Sequence, residues 1–176
     1  MERAYIKPPQ TMMEVFQSLP EGTRVQLINN QLIMSPAPTD PHQKVLDKIY
    51  RRLGDYIEEK NLGETRPTPY DVYLNRRNAY QPDIIFIANE NLHKIKEDGL
   101  HGAPDLVIEI LSPATWRIDK EDKKDEYERS GVKEYWMVDP LDKSTEGFQL
   151  VHGEFQPLPA EPGKITFKLL NLTISF

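Results

Sequence analysis

The hydrophobic pattern of this 176-residue chain changes period several times, and each change marks an element. Met12, Met13, Val15, Phe16 and Leu19 follow Thr11 at helical spacing and stop at Pro20 and Gly22, which predicts a short helix. Residues 24–28 and 31–34 flank Asn29-Asn30; asparagine tolerates positive φ, so this reads as a hairpin with a two-residue turn. Past the loop Ser35-Pro36-Ala37-Pro38, Val45, Leu46, Ile49, Leu53, Tyr56 and Ile57 recur at a period of 3.6 and predict a long helix. His42 falls in that apolar arc, and Lys44, Lys48, Arg51 and Arg52 lie opposite, where they read as a solvated face. Asp40 is expected as the N-cap, Pro41 at the first helical position, Gln43 in a capping box, and Gly63 at the end.

Residues 64–69 and 71–74 read as short strands or halves of one bent strand, followed by a basic turn at Arg76-Arg77-Asn78. Two later runs, residues 84–88 and 106–111, are apolar on both faces, as expected of strands in the covered middle of a sheet. The stretch 89–100 between them reads as a loop with a short helix. Residues 119–130 form a charged helix stopped by Gly131, and residues 134–139 a strand closed by Pro140. Two or three further strands are expected between 148 and 176, around Gly153 and Pro162-Gly163. This order predicts an α/β protein with a central mixed sheet and extra C-terminal strands. No linker or repeat divides residues 1–176, so one domain is expected.

Composition narrows the function. Charged residues make up 28% and apolar ones 38%, as in soluble globular proteins. No apolar run is long enough to span a membrane, and residues 1–10 lack the apolar core of a signal peptide. Cysteine is absent, which excludes disulfides and thiolate metal sites and fits a cytoplasmic protein. With a net charge of −6, any nucleic-acid partner must be met by a local basic patch.

One residue does not fit the pattern. Glu109 sits inside the run 106–111, sharing a face with Val107 and Leu111, while Leu106, Ile108 and Ile110 take the other. An ionised carboxylate there needs a cation, donors or a shifted pKa. Asp83 enters the other buried strand directly after Pro82. If the two strands are neighbours, both acids reach one hard divalent ion such as Mg²⁺ or Mn²⁺, with the Ile110 carbonyl as a further ligand. Such an ion lowers the pKa of a bound water and stabilises charge on a phosphoryl oxygen. Asp83 is equally well accounted for as a turn residue. Asp119 and Lys123 have the spacing of an ordinary i,i+4 ion pair. Their helix follows the Glu109 strand, however, and Tyr127 is its large apolar anchor. Lys123 is therefore expected to turn toward the sheet, balance Glu109 and orient a water.

These residues carry a resemblance. Gln81-Pro82-Asp83, then Gly102-Ala103-Pro104-Asp105-Leu106-Val107-Ile108-Glu109-Ile110-Leu111-Ser112-Pro113-Ala114-Thr115, then Asp119, Lys123, Tyr127 and the run from Gly131 to Pro140 resemble the restriction endonuclease-like family of the PD-(D/E)XK nuclease superfamily. The likeness runs from about Val25 to Pro140. It implies a restriction-endonuclease-like mixed sheet and Mg²⁺-dependent hydrolysis of phosphodiester bonds, with DNA as the expected partner and a homodimer for duplex cutting. Asp83 and Glu109 match the two acids of the superfamily motif. The motif lysine would fall at Leu111 and is missing; Lys123, on the following helix, stands in the substituting position. His42-Gln43 matches a pair that opens the first core helix, with His42 a buried structural histidine or a secondary site residue. Gln81 is a secondary candidate as part of the Gln-Pro-Asp match. The hairpin departs from the family's Glu-Leu-Ile-Asp-Gly-Glu, reading Gln26-Leu27-Ile28-Asn29-Asn30-Gln31. Gln26 in place of an acid weakens any second-metal role and leaves a non-catalytic binding module as the alternative.

Overall fold

The computed structural model describes residues 8–113 and 116–176. The N-terminal residues 1–7, read above as lacking a leader, and Ala114-Thr115 of the motif lie outside the described residues. Helix α1 (Met12–Gln17) starts in a capping box, with Thr11 and Glu14 reciprocally bonded. Strands β1 (Val25–Ile28) and β2 (Gln31–Met34) form the expected hairpin, with Asn29 and Asn30 both at positive φ.

Helix α2 (Asp40–Lys60) buries His42, Val45, Leu46, Ile49, Leu53 and Ile57 along one face. Its ends correct two expectations. Thr39, with extended backbone, is the N-cap and makes no side-chain cap bond, and the Asp40 carboxylate pairs with Lys44 at 2.7 Å. The capping box to Gln43 is therefore not formed. Asn61, in the left-handed conformation, ends the helix two residues before Gly63.

The strands divide between two six-stranded sheets and a ribbon, more layers than the single sheet expected. β3 (Gly63–Pro67) and β4 (Val72–Asn75) are not one bent strand, since they join different sheets. The first sheet runs β2-β1-β5-β4-β8-β7, where β5 is Asn78–Tyr80, β7 is Ile95–Lys96 and β8 is Gly99–His101. A 3-10 helix over Asn89–Lys94 precedes the β7–β8 hairpin. The second sheet runs β12-β11-β10-β9-β6-β3. Here β6 is Ile84–Ala88, β9 is Leu106–Ile110, β10 is Glu134–Val138, β11 is Thr145–Val151 and β12 is Glu154–Leu158. β13 (Lys164–Phe167) and β14 (Leu172–Ser175) form the ribbon, so the tail holds four strands.

The second sheet is mixed: β6 pairs β9 antiparallel, and β9 pairs β10 in parallel. Alternation along these strands assigns the two faces. Ile84, Phe86, Ile108, Trp136 and Val138 join the cluster formed with α2 and the ribbon. Ile85, Ile87, Val107, Tyr135 and Met137 join a second cluster with the first sheet and Tyr127. Both faces are covered, which is why these strands read as apolar throughout. Gly147 is paired with Trp136, whose ring lies 2.5 Å from where a Cβ would be, so only glycine seats that indole.

Candidate functional site

Asp83 lies where the β6–β9 ladder stops. The pairs Ile85–Val107 and Ile84–Ile108 continue to Asp83 opposite Glu109, on one face. Beyond Ile84 the Asp83 side chain replaces the backbone as acceptor: Oδ2 takes the Ile110 N–H at 2.7 Å. The His42 Nε2 lies 3.3 Å from the same oxygen. Thus α2, β6 and β9 meet at one point.

Glu109 is 3% exposed. Its Oε1 accepts from the Lys123 ammonium at 2.9 Å and the Tyr127 hydroxyl at 2.8 Å. Lys123 also pairs with Asp119 at 3.0 Å and lies over the Tyr80 ring, 5.9 Å from its centroid. The i,i+4 pair is real, but it is buried and faces the sheet.

The helix that carries it is not regular. Residues Trp116–Ile118 (α3) and Lys124–Ser130 (α4) are α-helical, and Asp119–Lys123 between them is a π-helical turn. Such widened turns recur at functional sites because they re-aim side chains. Here the turn buries both Asp119 and Lys123. The Tyr135 hydroxyl donates to the Asp119 carbonyl at 3.0 Å and holds the turn against β10. From the other side, Asn29 donates to Asp122 at 3.0 Å and Asn75 to Glu126 at 2.6 Å, which ties the helix to the first sheet.

Charge is unbalanced at this junction. Burial, together with the neighbouring Asp119 and Asp83 charges, raises the Glu109 pKa to about 7 against the opposing pull of Lys123. For Lys123, burial works to lower the pKa, but the charges of Asp119 and Glu109 prevail and raise it, so it stays protonated. Burial also works to lower the His42 pKa, and is outweighed by Asp83, Glu109 and the Ile110 carbonyl, which raise it.

These side chains line a cavity of about 250 Å³. Its wall brings together His42, Gln81, Asp83, Glu109, Ile110, Asp119 and Lys123, and with them Gln26. Gln26 has a structural job: its amide oxygen accepts from the Gln81 N–H at 3.0 Å and its amide nitrogen donates to Ser35 at 3.1 Å. Gln81 reaches away, donating to Asp71 at 2.8 Å and to the Thr23 carbonyl at 3.3 Å. The pair therefore holds the Pro82-Asp83 corner against β1.

Sequence reasoning missed three contributors. Arg24 lines the cavity and makes no ion pair among the described residues. Asp119 was read as a partner of Lys123 alone, yet it is a third acid at the cavity. Tyr127 was read as an apolar anchor, and its hydroxyl binds Glu109. No signal marked Arg24; the tyrosine's polar end was the available clue to the last.

A family model described as "Uma2: Putative restriction endonuclease" matches residues 13–174, almost the whole chain. The chain belongs to the Uma2 family. A crystal structure of a putative nuclease belonging to DUF820 from Anabaena variabilis ATCC 29413 superposes with a TM-score of 0.77 at 18% identity, covering 95% of each chain. The Uma2 chain therefore has the fold of that protein. No curated protein matches it.

Among the described residues, no three His, Asp or Glu side chains form a ready-made cage. Mg²⁺ does not need one: it keeps several waters and takes one or two carboxylates. Among the described residues, the contacts to the Asp83 carboxylate fall on Oδ2 and those to the Glu109 carboxylate on Oε1. Oδ1 and Oε2 carry none among the described residues, although both side chains line the cavity. Two such oxygens, in surplus negative charge, fit a hard cation.

Proposed function

We propose that the chain is a metal-dependent nuclease that hydrolyses phosphodiester bonds in DNA. One observation carries this reading. Glu109, buried in β9, and Asp83, partly buried just before β6, each keep an oxygen free of hydrogen bonds among the described residues and line one cavity, with a lysine held beside them.

Asp83, Glu109 and the Ile110 carbonyl would hold Mg²⁺ or Mn²⁺. The ion's chemistry there is to lower the pKa of a bound water and to stabilise charge on a phosphoryl oxygen. Lys123 acts as a fixed donor. Because it stays protonated it removes no proton; it orients a water or a phosphoryl oxygen by donating to it. Tyr127 and Asp119 fix its position through Glu109 and its own ammonium. His42 orients Asp83. Arg24, without an acidic partner, offers its charge to the phosphate backbone. A net charge of −6 makes such local cations necessary.

The competing reading is a binding module that has lost its chemistry, and Gln26 in place of an acid favours it. The two part in a cleavage assay. The nuclease reading expects nicking or cutting of DNA that needs Mg²⁺ or Mn²⁺ and disappears in Glu109→Ala, with circular dichroism unchanged. A folded wild-type protein inert toward linear, branched and single-stranded DNA and RNA would overturn it.

A further inference from the structure

A second, larger cavity of about 550 Å³ adjoins the first and shares Thr39, Ser112 and Pro113 with it. Its character is different. Leu111, Pro113, Trp116, Pro140 and Leu141 make it mostly apolar, and Lys120 and Asp139 are the charged residues in its lining. Trp116 is 41% exposed and Leu141 75%, both large apolar side chains that folding leaves uncovered. The Arg117 guanidinium sits 5.2 Å over the Trp116 ring. Unlike Lys44, Arg51 and Lys120, which all pair with carboxylates, Arg117 makes no ion pair among the described residues.

We propose that this groove is a subsite for one unpaired DNA base next to the scissile phosphate, so that the substrate is single-stranded or carries an unpaired stretch. The proposal rests on the nuclease reading and extends it to substrate class. Three observations choose the occupant. The groove shares three lining residues with the smaller cavity that holds the acids, and so lies beside it as a base lies beside its phosphate. A partly exposed indole offers the flat apolar surface on which bases of any sequence stack. Arg117, over that ring and without an ion pair among the described residues, supplies positive charge for the backbone. In an intact duplex a base is stacked and paired and cannot enter a lateral cleft; it must be unpaired or flipped out first. The volume lies within the roughly 300–1,000 Å³ of ordinary ligand pockets.

Intrinsic fluorescence tests this directly, because the chain has two tryptophans and Trp136 is fully buried. Wild-type protein without divalent ions is titrated with a single-stranded oligodeoxynucleotide, a blunt duplex and a duplex with a single-stranded overhang. Quenching is expected with the first and third and not with the blunt duplex. By anisotropy of a labelled single strand, Trp116→Ala is expected to weaken binding roughly ten-fold, as loss of one base stack does, and Trp116→Tyr to restore it. With Mn²⁺ added, wild type is expected to cut the overhang substrate in preference to the duplex, and Trp116→Ala to lose that preference. Equal affinity and equal strand preference in wild type and Trp116→Ala would overturn the base subsite and leave the nuclease reading standing. Absence of both binding and cleavage for every oligonucleotide would overturn the two together.

Discussion

Two buried glutamates stand on neighbouring parallel strands and have opposite surroundings. Glu134, at the start of β10, is fully buried and fully served. Its carboxylate accepts from the Trp136 indole at 2.6 Å, the Leu169 N–H at 2.7 Å and the Lys168 N–H at 3.2 Å. It lines none of the described cavities. Glu109, near the end of β9, has both its donors on one oxygen, two other acids close by, and a cavity in front of it. Burial alone therefore does not single out a candidate site carboxylate. An oxygen without a donor among the described residues and a local excess of negative charge set Glu109 apart. Asp105 repeats the lesson: it is buried, but the Ala88 N–H, Asn91 and Lys133 occupy it.

The largest expected difference between the two glutamates is in cleavage. Glu109→Gln should lower the rate at least about 100- to 1,000-fold, the usual cost of removing a group that stabilises the transition state. Glu134→Gln, measured at a temperature where it is folded, should leave the rate within a few-fold of wild type. Equal losses would erase the distinction.

Stability should also separate the two surroundings. Glu134→Gln turns an amide toward N–H donors and leaves at least one unsatisfied, which costs about 1–3 kcal/mol in a urea melt. Lys123→Ala is expected to cost more, about 3–5 kcal/mol, because it abandons two buried carboxylates. A Lys123→Ala protein as stable as wild type would mean that the network is looser than its distances imply.

The pH dependence sharpens the comparison further. The folded-state pKa of Glu109 lies above its ordinary value of 4.5, at about 7. The folded protein then holds the extra proton, so this residue's contribution to stability declines as pH rises from about 4.5 to 7. Subtracting the Glu109→Gln melt from the wild-type melt at each pH should isolate a loss of roughly a few kcal/mol across that window. A flat difference would show Glu109 ionised throughout. The smallest effect is a rise in wild-type Tm of a few degrees at Mg²⁺ about ten-fold above its dissociation constant. Scanning calorimetry should find that rise in Glu134→Gln and not in Glu109→Gln.

Much of the site was legible in the sequence because Glu109 violates a simple pattern. A carboxylate in a strand apolar on both faces demands partners, and the helix that follows it offers Lys123. The adjacency of β6 and β9 was a conditional expectation that the ladder met. What stayed hidden depends on geometry that spacing does not encode. The π turn looks like any charged helix in sequence, yet it turns Asp119 inward beside Lys123. Gln26 reads as a lost acid, whereas its amide clamps Gln81 from a strand 55 residues away. The α2 cap falls one residue earlier than Asp40, at Thr39, where the backbone is extended. The division of the strands into two sheets was hidden too, since β3 and β4 are close in sequence and separate only in tertiary packing.

The central claim is that Asp83 and Glu109 hold a divalent ion between them. Titration calorimetry with Mn²⁺ on wild type, Asp83→Asn, Glu109→Gln and Glu134→Gln addresses it without a substrate. The account predicts one site in wild type and in Glu134→Gln, and loss of at least about ten-fold in affinity in the other two. No Mn²⁺ binding to the folded wild-type protein, or equal binding by all four, would contradict it.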